Sequence, residues 1–387
     1  MSHSEPETST PPVPRPVIAR AQNDLLIDDH GRQFIDLFSA HGTTWLGHSN
    51  KLIADQIAQQ LSQVWITGGL GSLPAAQARE SLATFFPPSH HAVGLYSTGM
   101  EAAEFAIRFA RVTTGKNGIV GFQHSMHGKS MATAQLCWDN HDGLCLPNIH
   151  RLPFGSSIPQ EQTLARLHAI LSTGEISAVF FEPLQASNGA HQASPAFYNQ
   201  ALQLCRQSGA LSVFDEILTG FHRTGPPFYF STLDHVPDLV LVGKSIGNGF
   251  PVSAIIADRK YPLDSRMFPG STFSDNPLAA TAVIATLKQM RQLDMPRLVG
   301  QIEQIIADIL TPLREQNIPL RGRGALWIIE LPPGLDMLGL IRRIYERGVF
   351  VSFTRNFLRL LPAATIDPRR LHQACTIVKE EVLRANR

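Results

Sequence analysis

Two charged residues follow short apolar runs in the centre of the chain. Residues 211–214 lead into Asp215, and residues 239–242 lead through Gly243 into Lys244. Ligands of parallel sheets gather at the carboxyl ends of the strands, so an acid and a lysine at these positions indicate a binding site. A lysine that lies among glycines can be desolvated and therefore nucleophilic. The alternatives are an Asp that caps a helix and a lysine in a surface loop.

A third segment with chemical potential lies upstream, at residues 96–101 (Tyr-Ser-Thr-Gly-Met-Glu). It follows an apolar run at 93–96 and opens a helical pattern at 101–111. Hydroxyl groups and a glycine at a helix N-terminus form an anion site, because unpaired N–H groups and the helix dipole point at the same spot. The alternative is an ordinary Ser or Thr cap.

The elements that must position these residues alternate between helices and strands. Residues 51–64, 101–111, 196–207 and 279–293 are predicted to be helices, and Pro296 is predicted to mark the end of the last of them. Short β-rich runs at 93–96, 118–122, 178–181, 211–214, 239–242 and 252–257 are predicted to be strands. Such alternation favours an α/β fold with a mostly parallel, buried sheet.

The composition argues against several classes of protein. The 387 residues carry 33 Lys+Arg and 32 Asp+Glu, and a net charge of +1 gives no field that would attract nucleic acid or an anionic membrane. No apolar window is long enough to span a membrane, and no signal peptide is recognised, so we expect a cytoplasmic protein. The cysteines and histidines show no metal-ligand spacing, and His90 and His91 are expected on the surface.

Taken in order, these segments resemble the class III, ornithine-type aminotransferases of the pyridoxal-phosphate fold type I family. The resemblance runs from about residue 28 to residue 362, and the joint order of its short motifs makes it specific. It implies a large domain with a mostly parallel sheet, a small α+β domain, and pyridoxal 5'-phosphate as cofactor. The motifs are residues 29–36, 46–48, 98–102, 126–128, 181–185, 215–225, 237–238, Lys244 and residues 271–277.

The resemblance implies roles for individual residues. Lys244 would hold the cofactor as a Schiff base and then shuttle the proton, and Asp215 would pair with the pyridine nitrogen. The phosphate would be bound at Thr98, Gly99 and Met100. The remaining residues implied to contact the cofactor are Met126, His127, Glu182, a buried acid, and Ile217, which would press on one face of the ring.

Substrate binding is implied for Arg359, whose guanidinium could hold a carboxylate with two hydrogen bonds, and Lys129 is the second candidate for binding a substrate carboxylate. The alternative is a surface arginine. Three positions, Met126, Lys129 and Ser187, depart from the family pattern. Met126 replaces an aromatic residue, and Lys129 replaces an arginine that binds a second substrate carboxylate in some members. Ser187 replaces a glutamate that can mask the substrate-binding arginine.

The same resemblance suggests how the chain is organised. We expect a disordered tail at 1–15, a small domain formed by 16–47 and 296–387, a large cofactor-binding domain at 48–260, and an interface segment with a linking helix at 261–295. We also expect a homodimer whose active sites are shared, with Thr272 and Ser271 binding the cofactor phosphate of the partner subunit. The alternative is a local turn in which Thr272 caps a helix that starts near Pro277.

The predicted function is therefore transfer of an amino group between an amine or amino acid and an oxo acid. A racemase, a decarboxylase or an aminomutase would begin with the same cofactor chemistry, and a non-catalytic scaffold is a further alternative. The sequence does not identify the substrate, because small differences in a few pocket side chains decide between similar substrates.

Overall fold

The structure, a computed structural model, describes residues 16–137, 146–155, 158–263, 267 and 270–386. The predicted disordered tail at 1–15 lies outside these residues. The strands, numbered along the described chain, are β1 (Ile18–Gln22), β2 (Leu25–Asp28), β3 (Gln33–Asp36), β4 (His90–Tyr96), β5 (Gly118–Phe122), β6 (Ile149–Leu152), β7 (Ile176–Phe181), β8 (Leu211–Asp215), β9 (Leu239–Val242), β10 (Ser253–Asp258), β11 (Leu320–Arg323), β12 (Leu326–Glu330), β13 (Val349–Phe350), β14 (Ser352–Thr354) and β15 (Phe357–Leu360).

The helices are numbered in the same way, and two short 3₁₀ turns lie at Tyr229–Thr232 and Lys244–Ile246. The helices are α1 (Ser39–Gly42), α2 (Lys51–Leu61), α3 (Leu73–Ala83), α4 (Gly99–Thr114), α5 (Met131–Gln135), α6 (Gln160–Leu171), α7 (Pro195–Ser208), α8 (Pro277–Gln292), α9 (Met295–Leu310), α10 (Pro312–Glu315), α11 (Met337–Glu346) and α12 (Pro368–Ala385).

The central sheet has the strand order β4-β10-β9-β8-β7-β5-β6. β10 runs antiparallel to both of its neighbours, β4 and β9, whereas the pairs β9–β8, β8–β7, β7–β5 and β5–β6 are parallel. The predicted α/β fold with a mostly parallel sheet is thereby confirmed. The antiparallel direction of β10 was not predicted, because an apolar run carries no information about its direction.

Alternate residues of the central strands enter two separate cores. Val213 and Leu241 pack in one core with α4, whereas Phe214 and Val240 pack in another with α7. Because both faces of the sheet are covered, the strands are apolar along their whole length, which is the pattern that the sequence displays. The carboxyl ends of these strands are therefore held in fixed positions.

Helix α4 shows why the predicted boundaries of helices differ from the observed ones. The apolar spacing predicts residues 101–111, but the helix begins at Gly99 and ends at Thr114. The side chain of Thr98 caps its start, and Gly115, at φ 70°, ends it in the left-handed conformation that glycine allows. Helix α8 similarly ends at Gln292, and Pro296 lies in the first turn of α9 rather than at the end of α8.

Two smaller sheets contain the N-terminal segment and the C-terminal third. Sheet β1-β2-β3-β13 joins them directly, since β3 pairs in parallel with β13 through Ile35 and Val349. The buried Asp24 also accepts two hydrogen bonds from Arg370 at the start of α12. The other sheet has the order β11-β12-β15-β14. The proposed domain boundaries themselves remain a prediction.

Candidate active site

A cavity of about 720 Å³ opens at the carboxyl ends of β7, β8 and β9 and at the N-terminus of α4. It brings together most of the residues that the sequence singles out. Ser271 and Thr272 are the two predicted site residues that do not line it. The predicted residues in its lining are Thr98, Gly99, Met100, Met126, His127, Lys129, Glu182, Asp215, Ile217, Lys244 and Arg359.

Lys244 lies two residues beyond the end of β9, at the first position of a 3₁₀ turn. Its φ is 43°, a left-handed conformation that costs a non-glycine residue about 1–2 kcal/mol. Burial lowers the pKa of the Lys244 ammonium group, while the carboxyl groups of Asp215 and Glu182 act in the opposite direction. The lowered pKa favours the neutral amine, which is the nucleophilic form.

Asp215 is the last residue of β8, and its carboxyl group is 4% exposed. His127 Nδ1 lies 2.9 Å from Asp215 Oδ2, and the Ile217 amide donates to Oδ1 at 3.2 Å. With its proton on Nδ1, His127 donates a hydrogen bond to Asp215 Oδ2. The imidazole is buried at 5.6 Å from the ring of Phe180, and its Nε2 has no partner among the described residues.

Glu182 directly follows β7 and is also buried. Its Oε2 accepts a hydrogen bond from the Met126 amide at 2.7 Å, and its Oε1 accepts one from the Ala186 amide at 3.3 Å. Burial, together with the nearby charge of Asp215, raises the pKa of Glu182 to about 8. Glu182 is therefore mainly protonated at neutral pH, and it fixes the backbone of the loop that carries Met126.

The N-terminus of α4 forms a second wall of the cavity. The Glu101 amide donates to Thr98 Oγ1 at 3.1 Å, so Thr98 is indeed a helix cap. The cap leaves the amides of Gly99 and Met100 without an acceptor among the residues that the structure describes. A Cβ atom at Gly99 would lie 2.6 Å from Cδ1 of Ile217, so a larger residue here would require the Ile217 side chain to shift. The wall combines free amides with an apolar surface.

Arg359 lies in β15 and is 7% exposed, which excludes the alternative of a surface arginine. Its Nη2 donates to Ser352 Oγ at 2.6 Å and lies 3.3 Å from His41 Nδ1. Burial lowers the pKa of the guanidinium group, and Glu182 opposes this effect. No carboxylate forms an ion pair with Arg359 within the described ranges, and its Nε has no acceptor there. A buried cation of this kind is suited to a carboxylate ligand.

Sequence reasoning missed several residues of the cavity lining. His41 and Arg355 line it, and both adopt positive φ angles, of 62° and 54°. His41 belongs to α1, where Ser39 and Ala40 are also left-handed. Such conformations could not be predicted, because the sequence has no glycine at these three positions. The spacing of Arg355 four residues before Arg359 is the only signal that could have drawn attention to it.

The structure corrects one further expectation, for His90, and also shows the position of Glu216, the acid that follows Asp215 at the end of β8. The prediction of a surface position is wrong for His90, which is 2% exposed and has its Nε2 2.9 Å from the Pro237 carbonyl oxygen. Glu216, the second acid of the strand-end pair, does not line the cavity. It accepts hydrogen bonds from the amides of Tyr229 and Phe230, and its role is therefore structural.

The segment around Ser271 and Thr272 is exposed and lies beside the start of α4. Ser271 Oγ donates to Glu101 Oε1 at 2.6 Å. Helix α8 is capped by Asn276, whose side chain accepts hydrogen bonds from Leu278 and Ala279, so the alternative in which Thr272 is the cap is wrong.

Known proteins are similar to this chain along most of its length. The sequence profile of the family described as aminotransferase class-III matches residues 8–382. The acetylornithine aminotransferase of Bacillus subtilis is 31% identical over 384 residues, which covers 94% of each chain. The 2-aminoadipate transaminase of Pseudomonas putida is 28% identical over 396 residues, again with 94% of each chain covered.

A solved structure matches over the whole fold. It is an amine transaminase from an uncultivated Pseudomonas species in its pyridoxal-phosphate-bound form, with a TM-score of 0.89. The match covers 100% of this chain and 99% of the other at 20% sequence identity.

No helix in the described part of the chain is both long and apolar enough to cross a membrane. Among the same residues, no group of three or more potential metal ligands lies together.

The strand order, the strand-end lysine and acid, and the matched relatives define a pyridoxal-phosphate-dependent aminotransferase of fold type I. The chain belongs to the class-III aminotransferase family.

The residues of the cavity fit this cofactor. The free amides of Gly99 and Met100 suit a phosphate, and Asp215 Oδ1 accepts only the amide of Ile217 among the described residues, so it can accept a further donor. Gly99 and the Ile217 side chain that packs against it give the cavity lining an apolar patch against which a flat ring could lie. Lys244 supplies an amine in the same cavity.

Proposed function

We propose that this aminotransferase acts on amino acids and oxo acids, with Lys244 as its covalent anchor and proton carrier. The observation that carries this proposal is Arg359, a buried guanidinium without an acidic partner among the described residues, in the same cavity as Lys244. A simple amine would leave that charge unneutralised, whereas a substrate carboxylate would pair with it. The names of two relatives, acetylornithine aminotransferase and 2-aminoadipate transaminase, denote substrates that carry carboxylates.

Lys244 would hold the cofactor through its side-chain nitrogen. When bound, pyridoxal phosphate withdraws electrons from the substrate carbon that carries the amino group and so makes its proton easier to remove. The released Lys244 amine would then act as the base for that proton. Its lowered pKa supports this role, because a base must be unprotonated near the working pH.

Asp215 would accept a hydrogen bond from the protonated pyridine nitrogen, and His127 would hold the other carboxylate oxygen in place. The distance of 2.9 Å between His127 Nδ1 and Asp215 Oδ2 supports this arrangement. The amides of Gly99 and Met100, with Thr98 beside them, would bind the phosphate.

Ile217 and Met126 would contact the cofactor ring. A thioether packs against aromatic rings but fixes their orientation less firmly than an aromatic side chain does. Glu182, which accepts a hydrogen bond from the Met126 amide, would stabilise the loop that carries Met126. Met126 is therefore expected to hold the ring more loosely than the aromatic residue that other family members have.

The proposed activity is tested by mixing the cofactor-loaded enzyme with single amino donors and following the absorption of the cofactor. We expect amino acids to change the spectrum and to release the matching oxo acid. The Lys244→Ala variant is the control that should not turn over. If no amino compound changes the spectrum, the proposal is wrong, and if simple amines react as well as amino acids, the assignment of Arg359 fails.

A cytoplasmic homodimer with shared sites is part of the proposal. Exposed apolar side chains concentrate at residues 61–73, and large clusters of this kind mark interfaces. Ser271 and Thr272 are exposed hydroxyl residues near the phosphate wall, and they would bind the cofactor phosphate of the partner subunit. The exposed apolar side chains at residues 61–73 are Leu61, Val64, Trp65, Ile66, Leu70 and Leu73. Phe273, next to Thr272, is also exposed.

Subunit mixing tests the shared site. Lys244→Ala chains and chains with an inactivating Thr272 substitution are each inactive alone. If each active site takes Lys244 from one chain and Thr272 from the other, a mixed dimer has both substitutions in one active site and neither in the second. The second site is then intact, so activity should return. Recovery of no activity, although exchange of subunits is demonstrated, would contradict the shared site.

A further inference from the structure

An arginine at the entrance of the cavity lies on an unusually well anchored turn. Strands β14 and β15 pair with Thr354 opposite Phe357, so Arg355 and Asn356 form the two-residue turn between them. Asn356 Nδ2 donates to the carbonyl oxygen of Leu331 at 2.8 Å, and the Leu331 amide donates to the Asn356 carbonyl oxygen at 2.9 Å. The exposed side chain of Arg355 therefore extends from a fixed backbone into the cavity lining.

The backbone at this turn is strained for an arginine. Arg355 has a φ of 54°, and this region favours glycine or asparagine over residues with a long side chain. An arginine at such a position costs about 1 kcal/mol or more relative to glycine. Strain of this kind persists where the surrounding structure enforces it, and it concentrates at ligand-binding sites. The turn thus retains a cation at a position where the backbone alone would favour glycine.

The charges that line the cavity are unequal. Among the described lining residues, the carboxyl groups are Glu182 and Asp215, whereas the permanent cations outside the cofactor anchor are Lys129, Arg355 and Arg359. This step rests on the proposed function, in which Asp215 pairs with the cofactor. Glu182 contributes little negative charge at neutral pH, because burial raises its pKa to about 8. With the cofactor phosphate on the amides of Gly99 and Met100 and one substrate carboxylate on Arg359, Lys129 and Arg355 would still lack an anionic partner.

Arg355 and Arg359 belong to the same hairpin, so their spacing is fixed. Four residues separate them, and Arg355 and Asn356 belong to the turn, so their Cα atoms lie at most about 13 Å apart. Two long side chains can reach into the cavity from the two ends of that span. Arg355 forms no ion pair with any residue in the described ranges. Arg355 and Arg359 are therefore both available to a ligand that has two separate anionic groups.

We propose that Arg355 binds the second anionic group of the substrate, so that the enzyme prefers amino and oxo dicarboxylates over monocarboxylates of the same length. Arg359 holds the carboxylate next to the reacting carbon, and Arg355 holds the distal one. Lys129 is the competing candidate for the distal group, but it lacks the planar guanidinium that binds a carboxylate with two hydrogen bonds.

The experiment compares glutamate with norvaline, which has the same chain length and no distal carboxylate. Rates are measured in single half-reactions for the wild type, Arg355→Gly, Arg355→Lys and Lys129→Ala. We expect Arg355→Gly to lower kcat/KM for glutamate roughly tenfold or more, which is the scale of a lost charge-assisted hydrogen bond, and to change that for norvaline less than about twofold. Arg355→Lys should recover part of the loss.

A structural control separates the charge from the backbone effect. Glycine accepts a positive φ, so Arg355→Gly should unfold at a temperature no lower than that of the wild type. Asn317→Gly is the matched control, because Asn317 is exposed, has a φ of 58° and lies outside the cavity lining. It should leave the preference for glutamate unchanged.

Several results would overturn the inference. Equal losses for glutamate and norvaline in Arg355→Gly would show a structural role, and loss of the preference in Lys129→Ala alone would assign the distal site to Lys129. A wild type that uses both amino acids equally would contradict the dicarboxylate preference while leaving the proposed function intact. A wild type that uses neither would instead refute the proposed function, and this inference with it.

Discussion

The floor and the mouth of the cavity are built in different ways. The floor consists of Glu182, Asp215 and Lys244, which follow or end neighbouring strands of a sheet covered on both faces. The mouth consists of Lys129, Ser187 and Arg355, which lie on loops and are partly or fully exposed. Under the proposed function, the reaction would depend on side chains fixed by the buried sheet, whereas recognition of the distal part of the substrate would depend on loops that can vary without disturbing the core.

The electrostatics of the two regions differ in the same sense. At the floor, burial shifts the pKa of Lys244 downward and that of Glu182 upward, so in both cases the neutral form is favoured relative to water. At the mouth, the side chains of Lys129 and Arg355 are exposed and have no ion-pair partner among the described residues. Substitutions at the floor should therefore alter the chemical step, and those at the mouth should alter the binding of particular substrates.

The largest effect should come from Lys244→Ala. This change removes both the covalent anchor and the proton carrier, so turnover should fall by about 10⁴-fold or more, the upper end of what a positioned acid or base contributes. Steady-state rates with an amino acid and an oxo acid measure the loss, and circular dichroism checks the fold. If the variant keeps more than a tenth of the wild-type rate, Lys244 is not the covalent anchor and proton carrier of the reaction.

The next largest effect should come from Asp215→Asn. The variant should still bind the cofactor but lose roughly 10²–10³-fold in kcat, the scale expected when a preorganised electrostatic partner is removed. Cofactor titration and single-turnover rates measure the two properties separately. Asp238→Asn is the matched control, since Asp238 is a buried acid that precedes β9 and binds Lys260 away from the cavity. That control should lose stability rather than rate.

The loss of activity expected on substituting Arg359 is smaller than that at the floor and larger than that at the mouth. Arg359→Ala should lower kcat/KM for amino acids by about 10- to 150-fold, which corresponds to roughly 1.5–3 kcal/mol for a charged hydrogen bond. It should spare simple amines, because only the amino acids lose a charged pair. Arg359→Lys keeps the charge without the planar fork and should fall in between. Equal losses for both substrate classes would indicate that Arg359 stabilises β15 instead.

The smallest expected effect concerns the stability of the cofactor-free protein. Folded Glu182 keeps its proton up to about pH 8, whereas its ordinary pKa is 4.5. The folded state therefore binds more protons than the unfolded state between these values, and stability falls as the pH rises through that window. Glu182→Gln should flatten this decline of stability with pH. The effect should be clearest from pH 7 to 8, because the raised pKa of Glu216 is only about 7 and its own contribution ends near that value.

Urea unfolding at several pH values measures this decline in the wild type and in Glu182→Gln. Parallel curves for the two proteins would mean that Glu182 is not the group that titrates. The comparison bears on the floor alone, since the mouth residues Lys129 and Arg355 are exposed.

The floor could be predicted from the sequence for a physical reason. A buried parallel strand requires a continuous apolar run, so the first polar residue after the run marks the end of the strand. Asp215 and Lys244 stand out for this reason, and Thr98 stands out because a cap needs a hydroxyl before a helix. The helix boundaries were less accurate, because caps such as Thr98 and Gly115 lie outside the apolar pattern.

The mouth could not be predicted in the same way. The position of Arg355 depends on the register of β14 against β15 and on a positive φ, and neither is encoded by apolar spacing. The contact of His41 with Arg359 joins residues that are far apart in the chain. The burial of His90 likewise depends on its hydrogen bond to Pro237 across the fold. Long-range geometry of this kind appears only in three dimensions.

The most direct test of the account is to locate the lysine that holds the cofactor. The cofactor-loaded enzyme is treated with borohydride, which fixes the cofactor to its lysine, and the digested protein is analysed by mass spectrometry. We predict that the added mass lies on the peptide containing Lys244 and is absent from Lys244→Ala. Cofactor mass on another lysine, such as Lys129, or a reducible linkage that persists in Lys244→Ala, would contradict the assignment on which the floor of the site depends.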